Sequence, residues 1–275
     1  MHRRILTCGG AEAMVVALKK AHVHDKTAVI EAMRAMVDDS PVRFEMRAML
    51  SQVLSAMHAL PEDVNVQKEG LGVVRAFAKD QQSHMIILDQ LEAVFTGLHY
   101  NAQDSGLQEL GLDVVLLMVD SESGGNVAVR KTHSDTQSLS LARQKVGQQG
   151  GIVATINVLK IFVGRLEITR MALHNLWNLA MNEPLNRKRI WKERGLEVAL
   201  ASMRYHANDI AIQAHGLRLM WKVAWNEPPI QSSIVELGGV NLLLKAMRSH
   251  STSTWISTSG CVCVCKGVCC VRVRA

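Results

Sequence analysis

Apolar residues return along this chain at the period of an α-helix. In ITRMALHNLWNLA, which begins at Ile168, the residues Leu173, Leu176, Leu179 and Ala180 follow one another mostly at helical steps, which puts them on one stripe. The stripes themselves recur. RGLEVALASMRYH begins at Arg194 and GGVNLLLKAMRSH at Gly238, so Gly195 and Gly239 are 44 residues apart, and Gly151 of GGIVATINVLK lies another 44 upstream. Between these blocks ITRMALHNLWNLAMNEP and IQAHGLRLMWKVAWNEP repeat in the same register.

Each unit parses into a short helix, a turn, a helix opening after Gly, a polar break and a longer third helix. One unit predicts helices over roughly 185–194, 195–206 and 209–225. Asp209 stands where an N-cap accepts orphan amide hydrogens, and Pro228 stops the third helix from running on. Gly195 and Gly239 are expected to take the positive φ of a tight turn. Fainter copies lie upstream: VQKEGL at Val66 and LQELGL at Leu107 match IQAHGL at Ile212, and GGAEAMVVALK from Gly9 opens a weaker first copy. Residues 121–139 are polar and Gly/Ser/Thr-rich and read as an inserted loop. After MRSH at 247–250 a third helix is due, yet STSTWISTSG follows, so Leu242, Leu243, Leu244 and Met247 are expected to be partly uncovered.

This pattern resembles the armadillo repeat family, whose third-helix signature is matched best by ALHNLWNLA, Ala172 to Ala180. The resemblance covers most of residues 5–250 and implies an all-α fold, a right-handed α-solenoid of about six three-helix repeats with the last incomplete. It implies one repeat domain over 1–250 and leaves 251–275 as a low-complexity tail expected to be disordered.

Composition adds limits. Hydrophobic residues make up 48% of the 275, enough for a core and too many for wholesale disorder. The net charge of +6 is partly a tail effect, since 251–275 hold Lys266, Arg272 and Arg274 and no acid. A nucleic-acid partner is therefore weakly supported, and the basic run NRKRIWKER from Asn186 reads as a solvated face. Cys261, Cys263, Cys265, Cys269 and Cys270 crowd the tail, with only Cys8 elsewhere, so no disulfide framework is expected. Their alternation with Val reads as a translated dinucleotide tract, from a frameshift or misplaced gene end; the rival reading is a thiolate metal site. No apolar run is long enough to span a bilayer, and the expected location is cytoplasmic, with the nucleus as the alternative.

No catalytic motif survives. GLGVVR at Gly70 lacks the last glycine of a dinucleotide fingerprint and falls on a predicted helix, and His22 and His24 have no further metal ligands nearby. The chain is expected to be no enzyme, with no cofactor, no metal and no small-molecule substrate. The family resemblance makes the row His174, Asn178, Arg218 and Lys222, continued by Gly72, Ala76, Asp113 and Leu117, the groove. The expected partner-binding set is Arg170, His174, Asn178, Gln213, Arg218 and Lys222, taking a protein or extended peptide of acidic character, because Arg218 and Lys222 repel a basic one. Trp177 and Trp221, 44 apart, read as packing between third helices, with a peptide platform as the rival. The alternatives to such a noncatalytic scaffold are a regulatory fragment of a larger protein cut after residue 250 and, less favoured, a nucleic-acid-binding helical repeat.

Overall fold

Asp63, Asp104 and Asp209 each precede an apolar helical stretch, and each accepts backbone N–H bonds from the first turn: from Asn65 at 3.0 Å, Leu107 at 2.8 Å and Ile212 at 2.9 Å. Four residues further on, a buried glutamine secures the turn before the helix. Gln67 donates to the carbonyls of Met57 (2.7 Å) and Leu60 (2.9 Å), Gln108 to those of Leu98 and Asn101, and Gln213 to those of Met203 and His206. One amide thereby satisfies two orphan carbonyls at the end of the preceding helix.

The computed structural model of the chain describes residues 10–37, 47–120, 133–254 and 256–257. Its contacts divide it into two compact units, Met1–Val129 and Arg130–Ala275. Among the described residues the fold is all-helical. The first unit holds α1 (Gly10–Lys20), α2 (Val23–Val37), α3 (Arg47–Ala59), α4 (Val64–Ala78), a single 3-10 turn (Gln81–Ser83), α5 (His84–Asp89), α6 (Leu91–Tyr100) and α7 (Ser105–Val119). In it α1, α3 and α6 pack in sequence as one layer, and α2, α4 and α7 as another.

The second unit holds α8 (His133–Gln148), α9 (Gly151–Ile161), α10 (Leu166–Ala180), α11 (Pro184–Lys192), α12 (Gly195–Tyr205), α13 (Ile210–Ala224), α14 (Pro228–Glu236) and α15 (Gly239–Ser249). Here α9, α12 and α15 form one layer, while α10 packs along α13 and α8 along α11. Its bonds repeat in register: His206 Nε2 lies 2.6 Å from the Val163 carbonyl oxygen and His250 Nε2 lies 3.1 Å from that of Ala207, so both rings carry the Nε2 proton.

The turns correct the expected role of the glycines. Positive φ falls one residue earlier, at Gly150 (101°), Arg194 (60°) and Gly238 (73°). Gly195 and Gly239 are the first helical residues, and space is what they save. A Cβ on Gly195 would sit 2.8 Å from Ile190 Cγ2 and 2.9 Å from the Ile190 carbonyl oxygen. Pro228 likewise opens α14 at its first turn, as Pro184 opens α11; the chain reverses before each, at Asn226 and Asn182, both near φ +57°.

Two further expectations change. Residues 133–139, read as part of an inserted loop, belong to α8; residues 121–132 lie outside the described ones. The end of the chain is less bare than its sequence suggests. Leu242 and Leu243 are buried, leaving Leu244 as the exposed leucine, and Ile256 from the expected tail is 0% exposed. Ser257 N–H donates to the Ser253 carbonyl at 3.0 Å, and Ile256 beside it supplies a core residue. The cysteine run 261–270, and with it the metal reading, lies outside the described residues, as does Cys8.

Candidate functional site

The side-by-side packing of α10 and α13 puts residues 44 apart in neighbouring positions, and the expected row is partly assembled there. His174 on α10 stacks on His215 of α13 with centroids 4.4 Å apart and planes 13° from parallel. Trp177, one turn along α10, lies 5.4 Å from His174 and 6.0 Å from His215. Arg218 then closes the group, its Cζ 4.7 Å from the Trp177 ring centroid. A guanidinium on an indole face is worth about 0.5–2 kcal/mol, more as water is excluded.

Lys222, one turn beyond Arg218, lies on the next indole, with Nζ 4.2 Å from the Trp221 ring centroid. Trp225 meets Trp221 edge-on at 5.7 Å. Trp177 and Trp221 are register mates with different surroundings. Trp177 is buried under His215 and Arg218 of α13, whereas Trp221 is half-buried on the last third-type helix among the described residues.

Three members of the expected set have other roles. Gln213 is buried and spends its amide on the two carbonyls before α13. Asn178 is 0% exposed, inside the helix packing. Arg170 straddles the capping carboxylate, donating from Nε to both Asp209 oxygens at 3.2 Å and from Nη2 to Oδ2, while Nη1 reaches Glu167 at 2.6 Å. That bonding holds the Asp209 carboxyl below its usual range and raises Arg170 further. The 44-residue offset gives the reason for the misreading: it aligns sequence positions without saying which side of each helix the neighbouring turn occupies. His174, Arg218 and Lys222 remain on the shared face.

Sequence reasoning missed His215, and read Trp177 and Trp221 mainly as packing. The spacing of His215, Arg218 and Lys222 at three and four residues was the available signal. Burial, then His174 and Arg218, push the His215 imidazole down to about 3, so it is neutral in the stack. Burial, Arg187 and Arg143 together lower the Lys222 ammonium from its ordinary value. In the first unit the comparable positions are neutralised or filled: Arg75 pairs with Asp113, Arg34 pairs with Glu69 at 3.0 Å, and the Arg34 side chain lies over Gly72.

No described helix is long and apolar enough to cross a membrane. No group of three His, Cys, Asp or Glu side chains that could hold a metal occurs among the described residues.

No family model matches the chain, and no curated protein matches it. Solved structures do. The chain is similar to two engineered proteins solved by the Northeast Structural Genomics Consortium, one with TM-score 0.67 and 17% identity over 92% of this chain and 94% of that one. The other has TM-score 0.63 and 15% identity, covering 92% of this chain and 96% of that one. At such identities the likeness is one of fold.

Proposed function

We propose that the chain is a noncatalytic scaffold, an armadillo-like right-handed solenoid of about six repeats, that holds an extended acidic peptide or partner segment on the α10–α13 face. The observation that carries this reading is the pair of cation-on-indole contacts, Arg218 on Trp177 and Lys222 on Trp221, on one helix face. The half-buried Trp221 gives an extended chain apolar contact, and the cations held on the two indoles select carboxylates and repel lysines. Cytoplasm, or the nucleus, is the compartment proposed with it.

The reading is tested by fluorescence anisotropy with a labelled Glu-rich peptide and a Lys-rich one of equal length. The acidic peptide is expected to bind, more weakly as salt rises, and to be lost on Arg218→Glu. Equal binding of both peptides, or none of the acidic one, overturns it.

A further inference from the structure

We propose that the junction of α8, α11 and α13 is a receptor for a phosphoryl dianion carried on a side chain of the bound peptide, held by Lys222 and Arg187 with the indole N–H of Trp221 and the charge of Arg143. This deepens the peptide-binding reading and rests on it, since it names what one position of that peptide carries.

Three helices each bring one cation. Arg143 of α8 is 4% exposed, while Arg187 of α11 and Lys222 of α13 are half-buried. The three helices are held together: α11 packs on both α8 and α13, and it is fastened to α8, where Asn186 Nδ2 donates to the Arg143 carbonyl at 2.9 Å and Arg189 Nη1 to the Gly147 carbonyl at 2.6 Å. Arg143 has contacts of its own and contributes its charge. Burial first, and then the charges of Arg187 and Arg143, lower the Lys222 ammonium.

Two N–H donors accompany the cations. Arg187 Nε and Trp221 Nε1 are both buried and neither has a hydrogen-bond partner among the described residues. Buried N–H groups left so are costly, and like charges held together in a partly dry place add to that cost. One carboxylate lies at the α8–α11 seam: Glu183, the buried residue that precedes α11, accepts from Ser140 of α8, while Glu227 before α14 faces Lys188 at 3.9 Å, so the three cations outnumber the acids there.

Charge and oxygen count select the ligand class. A carboxylate brings one charge and two oxygens, whereas a phosphate monoester brings close to two charges and three strong acceptors. Three cations and two spare N–H donors fit the second. Arg218, one turn away along α13, lies on the Trp177 face, outside this junction.

The test titrates the full chain with three probes: an acidic Ser/Glu peptide bearing one phosphoserine, the same peptide unphosphorylated, and inorganic phosphate followed by 31P line width. Phosphorylation is expected to tighten Kd by about tenfold or more. Lys222→Met keeps the stem over Trp221 and removes the charge; it should erase that gain, weakening the phosphorylated peptide far more than the unphosphorylated one. Arg187→Met should do the same. Lys222→Met is expected to melt no lower than the parent, because it relieves repulsion, so loss of binding there is not unfolding. Equal Kd for the two peptides, or a gain that survives Lys222→Met, overturns the phosphate receptor and leaves the peptide reading standing. If neither peptide binds while phosphate broadens in a Lys222-dependent way, the anion site stands and the peptide reading falls. Silence of all three probes overturns both.

Discussion

Arg218 covers the indole of Trp177 across the α10–α13 seam, its Cζ 4.7 Å from the ring centroid. The contact joins stability to recognition, because the same guanidinium is partly exposed on the face proposed to meet the peptide. Arg218→Ala is expected to cost about 0.5–1 kcal/mol of stability, shift Trp emission to the red, and weaken the Glu-rich peptide by about 1–2 kcal/mol. Arg218→Lys keeps the charge without the planar stack and should recover binding only in part. Chemical denaturation and anisotropy on the same samples check both effects.

His215 predicts how the chain responds to acid. Its folded-state value is near 3, below the ordinary 6.5, so between those values the unfolded chain binds the proton and the folded one does not. Stability from this site is whole above pH 6.5 and falls through that window by about 1.4 kcal/mol per pH unit. His215→Phe keeps a ring in the stack and removes the titration. The acid midpoint of unfolding should move to lower pH in this variant; an unmoved midpoint contradicts the buried neutral imidazole.

Two adjacent residues should respond in opposite directions. Gly195→Ala drives a Cβ to within 2.8 Å of the Ile190 side chain and 2.9 Å of its carbonyl, and is expected to cost about 1–3 kcal/mol. Arg194→Gly relieves a side-chain-bearing residue at φ 60° and is expected to be neutral or to stabilise by up to about 1 kcal/mol. Urea midpoints of the two variants decide the sign of each.

Much of the helical plan was legible because it rests on local chemistry. The aspartate cap at 209, the proline boundaries and the period of 44 residues are properties of short segments. The errors arose where three-dimensional packing assigns a role. Gln213 stood in the expected partner-binding set, yet its side chain turns inward onto two carbonyls of the preceding turn. Gly195 carried the turn signal while its neighbour Arg194 takes the turn's φ. Ile256 sits in a Ser/Thr-rich stretch with no periodic partner, so nothing local marks it as core.

Ile256 also reverses an expectation about the chain's end. Because its side chain is fully buried, Ile256→Ala should cost about 2–4 kcal/mol, and removal of 251–275 should lower the melting temperature. A truncated chain that melts with the parent would show that this turn contributes nothing.

The most direct test of the central claim is hydrogen–deuterium exchange of the full chain with and without the Glu-rich peptide. Slowed exchange is expected in α10 and α13, over Leu166–Ala180 and Ile210–Ala224, with α9 and α12 unchanged. Protection that falls on α9 and α12 while α10 and α13 exchange as before would contradict the account.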